Sequence, residues 1–296
     1  MTHRLRTCVA ATLTLAVVVA VLSTGARAAG TNFLWKATRG SSTLYLVGSV
    51  HLLTKDYYPL DPALDAAFSD SDLLVEEVDI GEMMATENQF NMLMEGMLPS
   101  GQTLDKVLSP STFAAVSKRI DGLGLPVEPL KRLKPWLLAI TLLGMEWQKA
   151  GFEAELGLDR HFYDRAKAQK KAVQGLETVA FQISRFDEMT NEEQERLLTE
   201  TLKELDTQRA DVTRLANAWR SGDVATVERI VLQDLKSEPK LYQRLLVDRN
   251  RDWLPKVEAL VTRGNRPFVV VGAAHLVGAD GLLAMLRARG FTVEQL

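Results

Sequence analysis

A single cysteine, Cys8, occurs in 296 residues, and it lies in an N-terminal stretch that reads as a removable leader. A mature chain without it has neither a disulfide nor thiolate chemistry, so its stability has to come from an ordinary core. There are only four histidines, and there is no Gly-x-Ser-x-Gly elbow, His-Glu-x-x-His helix or phosphate-binding loop. Those absences exclude the elbow-type serine nucleophile, the helix-borne zinc site and the P-loop. Aromatic residues make up 7% of the chain, and Lys plus Arg number 35 against 38 Asp plus Glu. An acidic surplus with so few aromatics argues against nucleic-acid binding. Beyond the leader, no apolar run approaches the ~20 residues of a membrane-spanning helix.

Residues 1–28 read as a secretory signal. Arg4 and Arg6 precede the apolar run Val9–Leu22, and Ala26-Arg27-Ala28 is a small-x-small cleavage site. Cys8 comes before the apolar run, which argues against a lipoprotein attachment site. The mature protein is thus expected to begin near Ala29 and to be periplasmic or secreted. Without Arg4, Arg6 and Arg27, 32 basic residues of the 35 remain against 38 acidic ones, a net charge of −6.

What is present is a repeated phrase. Leu44-Tyr45-Leu46-Val47-Gly48-Ser49-Val50-His51-Leu52 is matched by Val269-Val270-Val271-Gly272-Ala273-Ala274-His275-Leu276, over two hundred residues later. With so few histidines, chance supplies about 0.3 Gly-x-x-His matches, before any strand context is demanded. Each apolar run reads as a buried strand. Each glycine, Gly48 and Gly272, permits a sharp turn or a close approach. The histidine then lies beyond the strand's carboxyl end, where open α/β sheets bind ligands. If the two strands are neighbours, both imidazoles face one crevice.

The other elements fit an α/β fold. Strands are expected over 32–37 and 43–47, joined by a Gly-Ser-Ser hairpin loop. Asp61-Pro62 starts a helix. Leu73-Leu74-Val75-Glu76-Glu77-Val78-Asp79 is a third strand, whose adjacent glutamates are expected to face opposite ways, one into the crevice and one away. From Gly81 the pattern is helical. It includes a methionine-rich stretch from Met83 to Met97 and a segment over 157–171 carrying His161, which lacks the strand-glycine context and reads as structural. Residues 172–177 form a short strand candidate returning to the sheet. A long helix is expected from Asn191 to Trp219, with Leu198, Leu205, Val212 and Trp219 seven apart, a stripe for packing within the chain or in an oligomer. Another helix is expected over 241–261, kinked at Pro255. The strand over 268–271, a helix over 281–289 and Phe291-Thr292-Val293 close the chain as a βαβ unit. The reading is one domain over 29–296: a mixed sheet of N- and C-terminal strands with a helical lobe at about 81–265 inserted.

Imidazole suits divalent transition-metal ions, and a carboxylate is the usual third ligand where thiolate is missing. His51, His275 and a glutamate from a third strand end would leave coordination positions for water, the arrangement of metallohydrolases.

The paired phrases, together with Leu-Val-Glu-Glu-Val-Asp, Gly157-Leu158-Asp159, Gly175-Leu176-Glu177-Thr178 and Arg249-Asn250, resemble the TraB/GumN family, which includes the TIKI metalloproteases. The resemblance runs from about Phe33 to the end. It implies a fold akin to erythromycin-esterase-like and ChaN-like proteins. It also implies a metal centre of His51, His275 and Glu77, the position matching the family's glutamate, with Mn, Co or Zn undistinguished. Arg249 and Asn250 then contact substrate or orient a ligand. The expected activity is an exported metal-dependent hydrolase, a peptidase or a hydrolase of another small substrate. The alternative is a non-catalytic protein binding haem or a peptide in the same crevice.

Overall fold

The computed structural model describes residues 32–296 apart from Gln208. The expected signal segment lies outside the described residues.

Six strands form one mixed sheet: β1 (Leu34–Arg39), β2 (Ser42–Ser49), β3 (Leu73–Glu76), β4 (Ala172–Gly175), β5 (Pro267–Gly272) and β6 (Thr292–Gln295), in the order β4-β3-β5-β2-β1-β6. β1 and β2 are an antiparallel hairpin that extends to the pair Arg39 and Ser42. Only Gly40 and Ser41 connect them, and Gly40 takes φ 60°, a left-handed conformation that suits glycine in so tight a loop. β2, β5, β3 and β4 run parallel. In β5, Phe268 to Val271 are fully buried, as a continuous apolar run in a parallel sheet requires. The two Gly-x-x-His strands are direct neighbours, with Gly48 opposite Val271 and Ser49 opposite Gly272. Their carboxyl ends, with that of β3 beside them, form one edge.

The short strand expected over 172–177 is β4, which returns to the sheet beside β3. Buried apolar side chains fall into two clusters, one around the sheet and one within the helical lobe. The long helix expected from Asn191 is described over Asn191–Thr207 and Arg209–Arg220. They serve different cores: Leu198 and Leu202 are buried in the lobe, Ala216 and Trp219 against the sheet. Trp219 Nε1 donates to the Gly48 carbonyl (2.6 Å), which ties Arg209–Arg220 to the end of β2.

A continuous helical run over 239–262 contains a π-turn at Gln243–Val247, directly before Asp248. Such wide turns are frequent at functional sites. Here Arg249 and Asn250 follow, both buried. Among the described residues no helix is long and apolar enough to cross a membrane.

Candidate active site

β5 ends at Gly272 and the chain turns at once into the short helix Ala273–Leu276, which carries His275 back over the strand end. His275 is held from behind by Asn250. Asn250 Nδ2 donates to the carbonyls of His275 (3.2 Å) and Asp280 (2.8 Å), so its Oδ1 is left to accept from His275 Nδ1 (2.7 Å). With the proton on Nδ1, Nε2 carries the lone pair, and it accepts from Arg249 Nη1 at 3.1 Å. Burial pushes His275 down to about 3, so the ring is neutral.

Glu77 lies just past β3. Its Oε1 accepts from the Gly272 N–H (2.6 Å) and its Oε2 from Arg249 Nη2 (2.5 Å), with Gln182 Nε2 at 3.4 Å. Burial alone would raise its pKa. Arg249, then His275, His51 and the Gly272 N–H, outweigh burial and hold it well below the usual carboxylate range. The Arg249 fork also binds Glu177, Nη2 to Oε1 (2.7 Å) and Nε to Oε2 (3.1 Å), and Trp253 Nε1 donates to Oε2 (2.9 Å). Trp253 lies under both the guanidinium, 4.6 Å from the ring centroid, and the His275 ring, at 4.4 Å.

His51 follows β2. Its Nδ1 is 2.9 Å from Asp159 Oδ2, which also accepts from the Ser49 hydroxyl. Asp159 is the second residue of the helix Leu158–Ala168. That helix can approach because Gly157 has no side chain: a Cβ there would stand 2.1 Å from the His51 carbonyl oxygen. Asp159 pushes His51 up to about 9, more than burial lowers it. The side chain is 59% exposed, facing the cleft.

Three groups converge on Gly272. A Cβ added there would lie 3.1 Å from Glu77 Oε1, 3.4 Å from His51 Nε2 and 3.7 Å from His275 Cδ2. Gly272 has φ −49°, a value open to any residue, so the space is what requires glycine. Gly272→Ala is therefore expected to leave the melting temperature nearly unchanged while removing activity and any ion binding at the three groups. A fully active Gly272→Ala protein would show that chemistry does not occur there. Gly48 plays a different part in the matched phrase: a Cβ would strike the Phe33 ring at 2.3 Å, so its role is packing.

His51 and Glu77 line a cleft of about 540 Å³, and His275 lies buried behind them. The sequence pattern assigned one of the adjacent glutamates to the crevice and one away from it. They do have different partners, but both line the cleft, because β3 ends at Glu76 and the chain leaves the pleat there. Glu76 is 1% exposed; its Oε2 accepts from the Ile80 N–H (3.3 Å), and Oε1 has no hydrogen-bond partner. Burial raises it to about 9 against the Ile80 N–H, with Asp159, Asp79 and Asp164 adding to the rise. Unless a cation joins it, the folded protein keeps a proton that the unfolded chain loses above its ordinary value of 4.5. This contribution to stability is whole below pH 4.5, declines as pH rises and is gone above about 9. The decline is about 1.4 kcal/mol for each pH unit over which only the unfolded chain is deprotonated. Glu76→Gln has no such proton, so it is expected to melt increasingly above the parent across that window. A pH-independent gap in melting temperature would contradict the assignment.

Of the residues expected at the site, His51, Glu77 and His275 come together, with Arg249 bonded to two of them. Arg249 and Asn250 do not line the cleft; they position Glu77 and His275 from behind. His161 is elsewhere, between the rings of Tyr58 (5.2 Å) and Phe162 (5.1 Å). Sequence reasoning gave no role to Asp159, Glu177, Gln182 or Trp253. Asp159 and Glu177 sit in the phrases Gly157-Leu158-Asp159 and Gly175-Leu176-Glu177, where an acid directly follows a Gly-Leu turn. In the methionine-rich stretch no residue of the helix Thr86–Glu95 is fully buried, and Met84 and Met94 are exposed. Met83, Met92 and Met97 do pack against the lobe core.

The fold and this cluster define an α/β protein with a histidine–glutamate–arginine centre at the carboxyl edge of a parallel sheet segment. The chain belongs to the TraB/PrgY/gumN family, whose family model matches residues 33–295. It is 27% identical over 262 residues to the uncharacterized protein YbaP of Escherichia coli (strain K12), a match covering 87% of this chain and 94% of that relative. The YbaP protein of Shigella flexneri matches to the same extent. No solved structure matches the chain.

Proposed function

We propose that the protein is an exported metal-dependent hydrolase, acting on peptides or another small substrate, with His51, Glu77 and His275 as its metal centre. The observation that carries this reading is the convergence of Glu77 Oε1, His51 Nε2 and the His275 ring on Gly272. Both imidazoles are fixed through Nδ1, by Asp159 and by Asn250, which is how ligand histidines are oriented in metal sites. The charge fits as well: Glu77, Glu177 and Asp159 face Arg249 and a protonated His51, and once His51 gives up its proton the remaining deficit of two is what one divalent cation would neutralise.

The donor types and orientations suit such an ion; the spacing is looser. His275 Nε2 stands 3.9 Å from Glu77 Oε1 and its lone pair is taken by Arg249 Nη1. Among the described residues, no three His, Cys, Asp or Glu side chains stand together as a ready-made site. Loading therefore requires Arg249 to withdraw from Nε2 while keeping its bonds to Glu77 and Glu177. With Asp159 holding His51 up at about 9, loading also replaces a proton on Nε2, so uptake should strengthen as pH rises toward that value.

When bound, the ion supplies Lewis-acid polarisation of a carbonyl and a more acidic water. The chain's own groups do the remainder. Asp159 and Asn250 set both tautomers, Arg249 fixes Glu77, and the Gln182 amide, 3.4 Å from Glu77 Oε2, faces the substrate side. The test is a peptide screen on chelated protein with Mn²⁺, Co²⁺ or Zn²⁺ restored. Hydrolysis that returns with metal supports the reading. A haem Soret band with no hydrolysis under any metal would replace it with the binding-protein alternative.

A further inference from the structure

The cleft has two unlike walls. One is acidic: Glu76, Glu77, Glu155 and Asp159. The other is apolar and flexible, built by Ile80, Met83 and Met84. Both bases at the cleft are already paired, His51 with Asp159 (2.9 Å) and Arg160, through Nε, with Asp164 (2.8 Å). With four acidic side chains against two paired bases, the cleft favours a cationic substrate head over an anionic one.

Glu76 makes this specific. It is 1% exposed, and its Oε1 has no hydrogen-bond partner. A buried polar group left unpartnered is destabilising, so its retention beside the proposed centre calls for a ligand. A primary ammonium offers three donors and a positive charge, the complement of a carboxyl set among other acids. Unbranched methionines accept varied apolar side chains.

Resting on the hydrolase reading above, we propose that the cleft recognises the free amino terminus of a peptide, with the α-ammonium at Glu76 and a long apolar first side chain against Ile80, Met83 and Met84. Glu77 is the next residue along the chain, and it lines the same cleft with His51. On this proposal an ammonium at Glu76 brings the first peptide carbonyl to the Glu77–His51 centre, and the bond cleaved is the first one. Water is the co-reactant: its hydroxyl adds to the carbonyl carbon, the C–N bond breaks, and its other proton goes to the departing amine. The products are a free amino acid and a peptide shortened by one residue.

The test is equilibrium binding by calorimetry on the mature chain, with L-leucinamide, N-acetyl-L-leucinamide and N-acetyl-L-lysinamide as probes. Leucinamide is expected to bind about ten-fold or more tighter than its acetylated form, the scale of one charge-assisted hydrogen bond. Glu76→Gln, an uncharged isostere whose folding a thermal melt checks, should erase that preference and leave acetyl-leucinamide unaffected. Equal binding by the parent, no binding of leucinamide, a preference that survives Glu76→Gln, or acetyl-lysinamide binding as tightly would each overturn the proposal. Hydrolysis is read separately. Amine-selective binding without release of leucine from a leucine-headed peptide keeps this recognition and removes the hydrolase reading. Internal cleavage of acetylated peptides without amine preference does the reverse.

Discussion

Glu77→Gln is expected to lower turnover by about 10²–10³-fold or more. Both carboxylate oxygens accept from fixed donors, the Gly272 N–H at 2.6 Å and Arg249 Nη2 at 2.5 Å. A glutamine must turn its NH₂ toward one of them, so it loses the charge and sets donor against donor at the convergence point. Glu76→Gln is expected to be much milder on the maximal rate, because Glu76 bonds to Ile80 N–H and touches none of the three converging groups. The comparison is made on steady-state rates of both variants with a peptide cleaved by the parent. Equal losses would mean that the centre is misassigned between the two glutamates.

Arg249→Met should be the most destabilising change at the site. The guanidinium sits between Glu77 and Glu177, with side-chain exposures of 9%, 11% and 1%. Removing it leaves two buried carboxylates unmatched, a loss of about 3–5 kcal/mol for a broken buried pair. Acid should narrow the gap between variant and parent, since protonated glutamates no longer need the cation. Arg249→Lys keeps the charge and loses the fork that reaches Glu77, Glu177 and His275 together, so it should fall between. Denaturant unfolding across pH checks this series. An Arg249→Met protein as stable as the parent near neutral pH would contradict the geometry.

Much of the fold was legible because its strands are short apolar runs bounded by glycine, and the repeated phrase marked two of them as a pair. The pairing of His51 with His275 followed from that repetition alone. The face of each glutamate was not legible. Alternation holds only while a strand continues, and no local signal marks the end of β3 at Glu76. The helix expected from Asn191 was read from a seven-residue stripe. A stripe records that a face is buried and not which core buries it, and here the two halves meet different cores. Asp159 and Glu177 were passed over because a lone acid after a turn looks solvated until the helix or strand it serves is placed beside a histidine or an arginine. The helix Thr86–Glu95 shows the same limit in reverse, since Phe90, Leu93 and Met94 are exposed and only Met92 of these apolar residues packs against the lobe core.

The most direct test of a shared centre is a set of thermal melts on the parent and on His51→Ala, His275→Ala, the double variant and His161→Ala. Each is run with chelator and again with Mn²⁺, Co²⁺ or Zn²⁺ added. An ion present at about a hundred times its dissociation constant should stabilise the parent by about 2.7 kcal/mol. Each single variant at His51 or His275 should lose that gain, the double variant should lose no more, and His161→Ala should keep it. If both single variants gain stability with metal as the parent does, the two histidines hold no common ion and the proposed centre does not exist.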